Sequence, residues 1–267
     1  VICGTTKVLN KNKNLITMAQ NFEYFISHLL LKNFETVLFN TLVLSGCFSM
    51  IRIYISEDQT LINQEILNEY NKEAKNLIED NLLKFGEDRY LTNILINTYP
   101  TKKIKYVPEI NCITEVPETI THLILQRRRW SNSLIACHIY LLCSKFISLK
   151  LYLLIFIELA VIIMLPILII VGVTSFILAI TIQGFSIFPV VITVNIFLIN
   201  LYIILLSGNF SMCLYYSQYM LTSLLFTVII PYDSLLRFNV VEWNSGSDIS
   251  SSDEISTHNG NYILNVN

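Results

Sequence analysis

Charge is scarce in this chain: 14% of its 267 residues are Asp, Glu, Lys or Arg, against about a quarter in an ordinary soluble domain. The deficit is local. Between Leu151 and Tyr232 the one charged side chain is Glu158, whereas residues 1–150 read as a soluble domain. A single water-soluble globule is thereby excluded, and two structural units in two solvents are expected. Positive charge is not in excess either. With 18 basic and 20 acidic side chains the net charge is −2, which excludes a nucleic-acid binder held by electrostatics. The six cysteines (Cys3, Cys47, Cys112, Cys137, Cys143, Cys213) show no CxxC spacing, so they read as reduced thiols and not as a disulfide frame or a zinc site. The opening VICGTTKV has neither a methionine nor a signal-peptide pattern, and the chain is expected to be the later part of a longer protein. No internal repeat is present.

What is there divides in order. Apolar residues at helical spacing predict a long amphipathic helix over 14–36. The stretch TLVLSGCFSMIRIYI, rich in β-branched and aromatic residues around Gly46, predicts strand, turn, strand. A polar helix is expected over 60–83 and a short helix over 86–98. Residues 102–117 read as extended, with Pro108 and Pro117 against helix. Pro117 is then expected to open a new helix in its first turn, one that carries Gln126 to Trp130. Alternating helices and strands over 1–130 predict an α/β architecture cut at its N-terminal edge.

Residues 131–147 are too short and too polar to span a bilayer and are expected to lie in the interface as an amphipathic helix. An all-α transmembrane region over 148–232 follows. Its first run, 148–181, exceeds the roughly 20 residues one span needs and is broken by Pro166 and Gly172; 185–206 and 210–231 are each about one span long. Three spans, or an even number if the first run folds back at Pro166, both fit. Lysines and arginines gather just before this block (Lys102, Lys103, Lys105, Arg127, Arg128, Arg129, Lys145, Lys150), which places the first half on the cytoplasmic side. The tail, 233–267, is serine- and acid-rich towards its end and is expected to be disordered.

Two short motifs carry the chemistry. In KFGEDRYL, Glu87 and Asp88 open a helix. One such carboxylate can hold structure while the other accepts a proton from a substrate hydroxyl; read by themselves, both are also simply acids that a helix dipole favours. In QRRRW, arginines offer forked hydrogen bonds to a diphosphate and Trp130 offers a platform for a sugar ring. The same residues also suit a basic patch on anionic lipid with an interfacial tryptophan. Together, ordered before membrane spans, they are what processive sugar transfer from a nucleotide sugar requires. Glu158 stands in hydrocarbon, where it needs a polar partner, a place along a polymer's path, or reach to the interface. His28, His122 and His138 lack ligand spacing. The aromatics of 208–232 suit helix packing, interface anchoring or a sugar channel.

The segments QNFEYFISH (20–28), SGCFSMIR (45–52), GEDRYL (86–91), YVPEINCITEVPET (106–119), QRRRWSNS (126–133) and FIELAVIIMLP (156–166) resemble, in order, those of the chitin synthases, within the family 2 glycosyltransferases. The resemblance covers about the first 170 residues. It implies the C-terminal part of a GT-A type glycosyltransferase domain over 1–130, ahead of the membrane helices. Asp88 resembles the catalytic base and Glu87 its supporting neighbour. Gln126, Arg129 and Trp130 match Gln-x-x-Arg-Trp, which assigns Arg129 to the diphosphate and Trp130 to the acceptor sugar, with Arg127 and Arg128 as electrostatic support. Cys47, Phe48 and Ser49 fall where the family's acceptor site lies.

The expected activity is transfer of N-acetylglucosamine from UDP-N-acetylglucosamine to the 4-hydroxyl of a growing β-1,4 chitin chain, with export across the membrane. A cellulose- or hyaluronan-type synthase and a non-catalytic, transporter-like relative are the alternatives. A divalent cation, Mg or Mn, is implied, yet the family's uridine-binding aspartate and its Asp-x-Asp lie upstream of anything resembling ICGTTK, so the chain alone is expected to be inactive. Expected partners are UDP-N-acetylglucosamine, the growing chain and the bilayer, with self-association left open and no nucleic acid; the expected location is the plasma membrane, multi-pass. VVEWNSGSD keeps Trp243 of the family's Trp-Gly-x-Thr-Arg stretch but not the rest.

Overall fold

A computed structural model describes residues 1–241, apart from 39, 45, 57–58, 145–146, 179–180 and 182–186. The polar tail from 242 onward, with Trp243, lies outside the described residues, as does Ser45.

Strand β1 (Ile2–Val8) lies at the centre of a three-stranded sheet. It runs antiparallel to the two-residue β2 (Ser49–Met50); β3 (Tyr54–Ser56) and β4 (Gln59–Thr60) pair with each other apart from it, and β5 (Lys105–Thr114) lies parallel to β1. The β1–β5 register shifts between Gly4 and Thr5. A Cβ on Gly4 would stand 2.5 Å from the Ile110 carbonyl oxygen and 2.8 Å from the Phe48 ring, so only glycine admits both there. Helix α1 (Leu15–Ile26) starts on a reciprocal cap: Asn14 accepts from the Thr17 amide (2.9 Å) while Thr17 Oγ1 accepts from the Asn14 amide (3.1 Å). The helix continues through a π-helical turn (Ser27–Lys32) into α2 (Asn33–Leu38), which accounts for the long helix expected over 14–36.

The single polar helix expected over 60–83 is two, α3 (Gln64–Tyr70) and α4 (Leu77–Phe85). Asn71 closes the first, and Asn76 opens the second by accepting from the Glu79 amide at 2.9 Å. Helix α5 (Glu87–Thr98) falls where expected. Pro117 does not sit in the first turn of the next helix. That helix, α6, runs from Ile120 to Leu142 with Thr119 as its cap, and Pro117 instead offers its carbonyl to Gln20 Nε2 (2.7 Å).

The separate interfacial helix expected over 131–147 is not formed either; its residues to Leu142 are the second half of α6. Asn132, Ser133, Ile135, Ala136, Cys137, His138 and Leu141 are all buried there, so this half is packed on several sides instead of presenting one apolar stripe to a surface.

Helix α7 (Leu149–Leu178) is continuous through Pro166 and does not fold back. Its Leu149–Ser175 stretch is the one described helix long and apolar enough to cross a membrane. Helix α8 (Ile187–Ser207) ends in the apolar stretch Phe197–Ser207. The 210–231 run is not a straight span. It forms α9 (Met212–Leu221), then Leu225–Leu236, whose last part is α10 (Ile230–Leu236), and the two halves meet at 62°. Both ends of this bent pair rest on the first 130 residues. Tyr215 donates to Asn12 Oδ1 (2.6 Å), and the rings of Tyr216 and Tyr219 lie 5.0 and 5.4 Å from that of Phe22 in α1. At the far end Asp233 binds Arg128 at 2.8 Å. So the aromatics Tyr215, Tyr216 and Tyr219 pack helices, and the stretch from Asp233 to Leu236 is ordered helix where the tail was expected.

Glu158, the lone charge of the apolar block, has a polar partner: its Oε2 lies 2.8 Å from Nε2 of His138, which is buried in α6. The link ties the start of α7 to α6.

Candidate active site

The acid pair sits where α5 begins, against α6. Gly86 caps the helix, and a Cβ there would lie 2.6 Å from Ser133 Cβ, so a side chain at 86 would force the two helices apart. Glu87 is exposed and Asp88 half-buried, and both favour a helix N-terminus. Each Asp88 oxygen accepts a backbone N–H: Oδ2 from Gly46 (3.0 Å) and Oδ1 from Arg89 (2.8 Å).

Residues 41–44, expected as the first strand, join no sheet among the described residues. The amides here go elsewhere: Thr41 to the Ile104 carbonyl (3.1 Å), Leu42 to Glu35 Oε2 (2.9 Å), Leu44 to Thr92 Oγ1 (3.0 Å) and Gly46 to Asp88. Of these donors, those of Leu42, Leu44 and Gly46 are taken by side chains of α2 and α5 instead of by a neighbouring strand.

Arg89 joins the two motifs. Its Nη1 donates to the Trp130 carbonyl (2.8 Å) and to Ser133 Oγ. Burial lowers the pKa of this guanidinium, and the neighbouring Asp88 carboxylate opposes that. The side chain remains a cation.

The arginines of QRRRW point to three destinations. Arg127, with a side chain 6% exposed, donates to Glu23 Oε2 on α1 (2.7 Å) and lies 4.0 Å from the Trp130 ring centroid. Arg128 donates to Asp233 on α10 (2.8 Å), which also binds Arg237 at 3.2 Å. Arg129 is half-buried; burial lowers its pKa and the Glu87 carboxylate raises it, so these two share a neighbourhood. Arg127 and Arg128, expected as support for a diphosphate, thus have carboxylate partners inside the fold. The reason is energetic: a guanidinium this buried needs a compensating charge. Gln126 is half-buried, and its Oε1 is a buried oxygen without a hydrogen-bond partner.

Trp130 is framed by α1. Tyr24 meets it edge-on (6.3 Å, 60°), opposite the stacked Arg127 contact in kind though not in function. Burial, with lesser contributions from Glu23 and Cys47 and against Arg127, pushes the Tyr24 hydroxyl up to about 12. Cys47 and Ser49 are exposed, and Phe48 is half-buried over Gly4. The structure thus places Glu87 and Asp88 at the start of α5 and Arg129 and Trp130 on α6, the two helices being joined there through Arg89.

Sequence reasoning missed Glu23 and Tyr24 as supports, Arg89 as the bridge, and Thr92 altogether. Glu23 and Tyr24 do lie within QNFEYFISH, one of the segments that carry the resemblance. Thr92 had no signal beyond its place one turn after Asp88.

The comparisons agree with one another. Chitin synthase 7 of Mycosarcoma maydis is 43% identical over 140 residues, which cover 50% of this chain and 11% of that protein. Chitin synthase IV of Metarhizium acridum is 41% identical over 141 residues, and chitin synthase 4 of Verticillium dahliae 40% over 141, each covering 50% of this chain and 12% of the relative. The chain therefore spans about an eighth of the length of these curated relatives. A family model described as chitin synthase matches residues 1–262, nearly the whole sequence, and the chain belongs to the chitin synthase family.

Proposed function

We propose that this chain is the acceptor-side and membrane-entry part of a GT-A type chitin synthase, which passes N-acetylglucosamine from UDP-N-acetylglucosamine to the 4-hydroxyl of a growing β-1,4 chain. The observation that carries the reading is the Arg89 bridge: it ties the turn bearing Asp88 to the backbone carbonyl of Trp130, which supports a proton acceptor and a sugar platform working side by side.

The reaction is a single displacement with inversion. Asp88 takes the proton of the acceptor 4-hydroxyl, that oxygen bonds to the anomeric carbon, and the carbon–oxygen bond to the diphosphate breaks as UDP leaves with the electron pair. Arg129 steadies the leaving diphosphate. Arg127 stacks on one face of Trp130, so an acceptor sugar would use the other. Among the described residues no cluster of three or more His, Cys, Asp or Glu could hold a metal ion. The Mg or Mn implied by the family is not fitted by these residues, and no step here runs through it.

The location proposed is the plasma membrane, with the catalytic part cytosolic. The basic residues ahead of α7 support that side. The bent α9–α10 pair, docked at both ends on residues 1–130, favours α7 leaving and α8 returning, hence an even number of crossings and a chitin chain exported beside them.

The test uses membranes carrying the complete gene product, wild type beside Asp88→Asn, with labelled UDP-N-acetylglucosamine or UDP-glucose and a divalent cation. Chitinase-sensitive insoluble label from the acetylated sugar, lost in Asp88→Asn, is expected. Label from glucose would identify another polysaccharide synthase. Equal product from the Asn variant would remove Asp88 from the role of base.

A further inference from the structure

One buried hydroxyl that belongs to neither motif lies next to the Asp88 turn. Thr92 is fully buried one turn below Asp88. Its Oγ1 donates to the Asp88 carbonyl oxygen (2.7 Å) and accepts the Leu44 amide (3.0 Å). Two residues beyond Leu44, the Gly46 amide donates to Asp88 Oδ2 (3.0 Å). The segment carrying Gly46 is thus pegged to the same helical turn whose carboxylate it orients. Thr41 and Leu42 are anchored to Ile104 and Glu35, and the Leu44 peg is the described contact that ties this stretch to α5 nearest to Gly46. The fit is close: a Cβ on Gly46 would sit 3.2 Å from Asp88 Oδ2 and 3.7 Å from its Cγ.

We propose that Thr92, through Leu44 and the Gly46 amide, is a positioning residue that fixes the orientation of the Asp88 carboxylate. The inference rests on the reading of Asp88 as the base. A carboxylate with a hydrogen-bonded orientation presents its oxygen to the acceptor hydroxyl without rearranging in each cycle, and misplacement by about 1 Å costs on the order of 100-fold in rate. Since the peg acts on the base and not on the donor pocket, its removal lowers kcat and leaves the KM for UDP-N-acetylglucosamine unchanged.

The test measures kcat and donor KM in membranes carrying the complete gene product, with Asp88→Asn as reference. Thr92→Val keeps the side-chain shape but deletes both hydrogen bonds; kcat should fall about 10- to 100-fold with donor KM within about twofold. Thr92→Ser restores the hydroxyl and should recover most of the rate, a rescue that a purely packing role would not give. Should Thr92→Val fail to accumulate in membranes, Gly46→Ala decides, because that turn is exposed and the added methyl presses only on the carboxylate; a kcat loss of about tenfold is expected. Wild-type kcat in Gly46→Ala and Thr92→Val beside a dead Asp88→Asn would overturn the positioning role and leave the base intact. A raised donor KM at unchanged kcat would also overturn it. Full activity in Asp88→Asn would instead sink the proposed function and this inference with it.

Discussion

Replacing Glu23 by Gln isolates what the α1–α6 ion pair contributes. The Arg127 side chain is 6% exposed, its Nη2 lies 2.7 Å from Glu23 Oε2, and its guanidinium stacks 4.0 Å from Trp130. Removing one partner of a buried pair leaves an uncompensated charge, which costs about 3–5 kcal/mol. Two features reduce that figure. The Glu23 side chain is 32% exposed, so water reaches the pair, and the Gln oxygen still accepts one hydrogen bond. About 2 kcal/mol is the expected loss. For a chain of this size that lowers the unfolding midpoint by roughly 4–8 °C, read by intrinsic fluorescence in detergent. Adding Arg127→Met to Glu23→Gln should recover most of the loss, because an apolar side chain of similar volume in place of a buried ion is often neutral. Glu23→Gln within about 0.5 kcal/mol of wild type, or a double variant worse than the single, would refute a buried pair that needs both charges.

Three further outcomes follow from the same geometry. Arg89→Lys retains the charge but replaces the Nη1 that donates to both the Trp130 carbonyl and Ser133 with a shorter side chain ending in a point charge; membranes should make shorter chitin oligomers at near-normal donor KM, and wild-type product length would show that the bridge does not hold the platform. Burial raises Glu35 to about 7, so the folded state binds its proton more tightly than the unfolded one. Stability from this group is full below about pH 4.5 and is lost as pH rises to about 7; Glu35→Gln should flatten melting temperature across that window. His28 acts in the opposite sense. Burial lowers it to about 4, with Nε2 accepting the Thr6 amide at 3.2 Å, so stability is lost as pH falls from about 6.5 to 4, and His28→Gln should remove that acid limb in the same melting series.

Local signals sufficed where local chemistry decides. Gly86 followed by two acids marks the start of α5, and the helix begins at Glu87; Asn14 and Thr17 cap the long helix expected over 14–36. They failed where distant partners decide. Segment 41–46 has strand composition, yet Glu35, Thr92 and Asp88 side chains take the amide hydrogens that a sheet would have used. Residues 210–231 count as a span, and only the docking of Tyr215 on Asn12 and of Asp233 on Arg128 distinguishes a bent pair from a straight one. The site divides the same way. GEDRYL and QRRRW identify the residues, but the partners of Arg127 and Arg128 are Glu23 and Asp233, which lie 104 and 105 residues away in sequence. Three neighbouring guanidiniums look equivalent in one dimension. On a helix they stand about 100° apart, so at most one or two can face the acid turn of α5, and the rest must find countercharge in α1 and α10 or lose their burial.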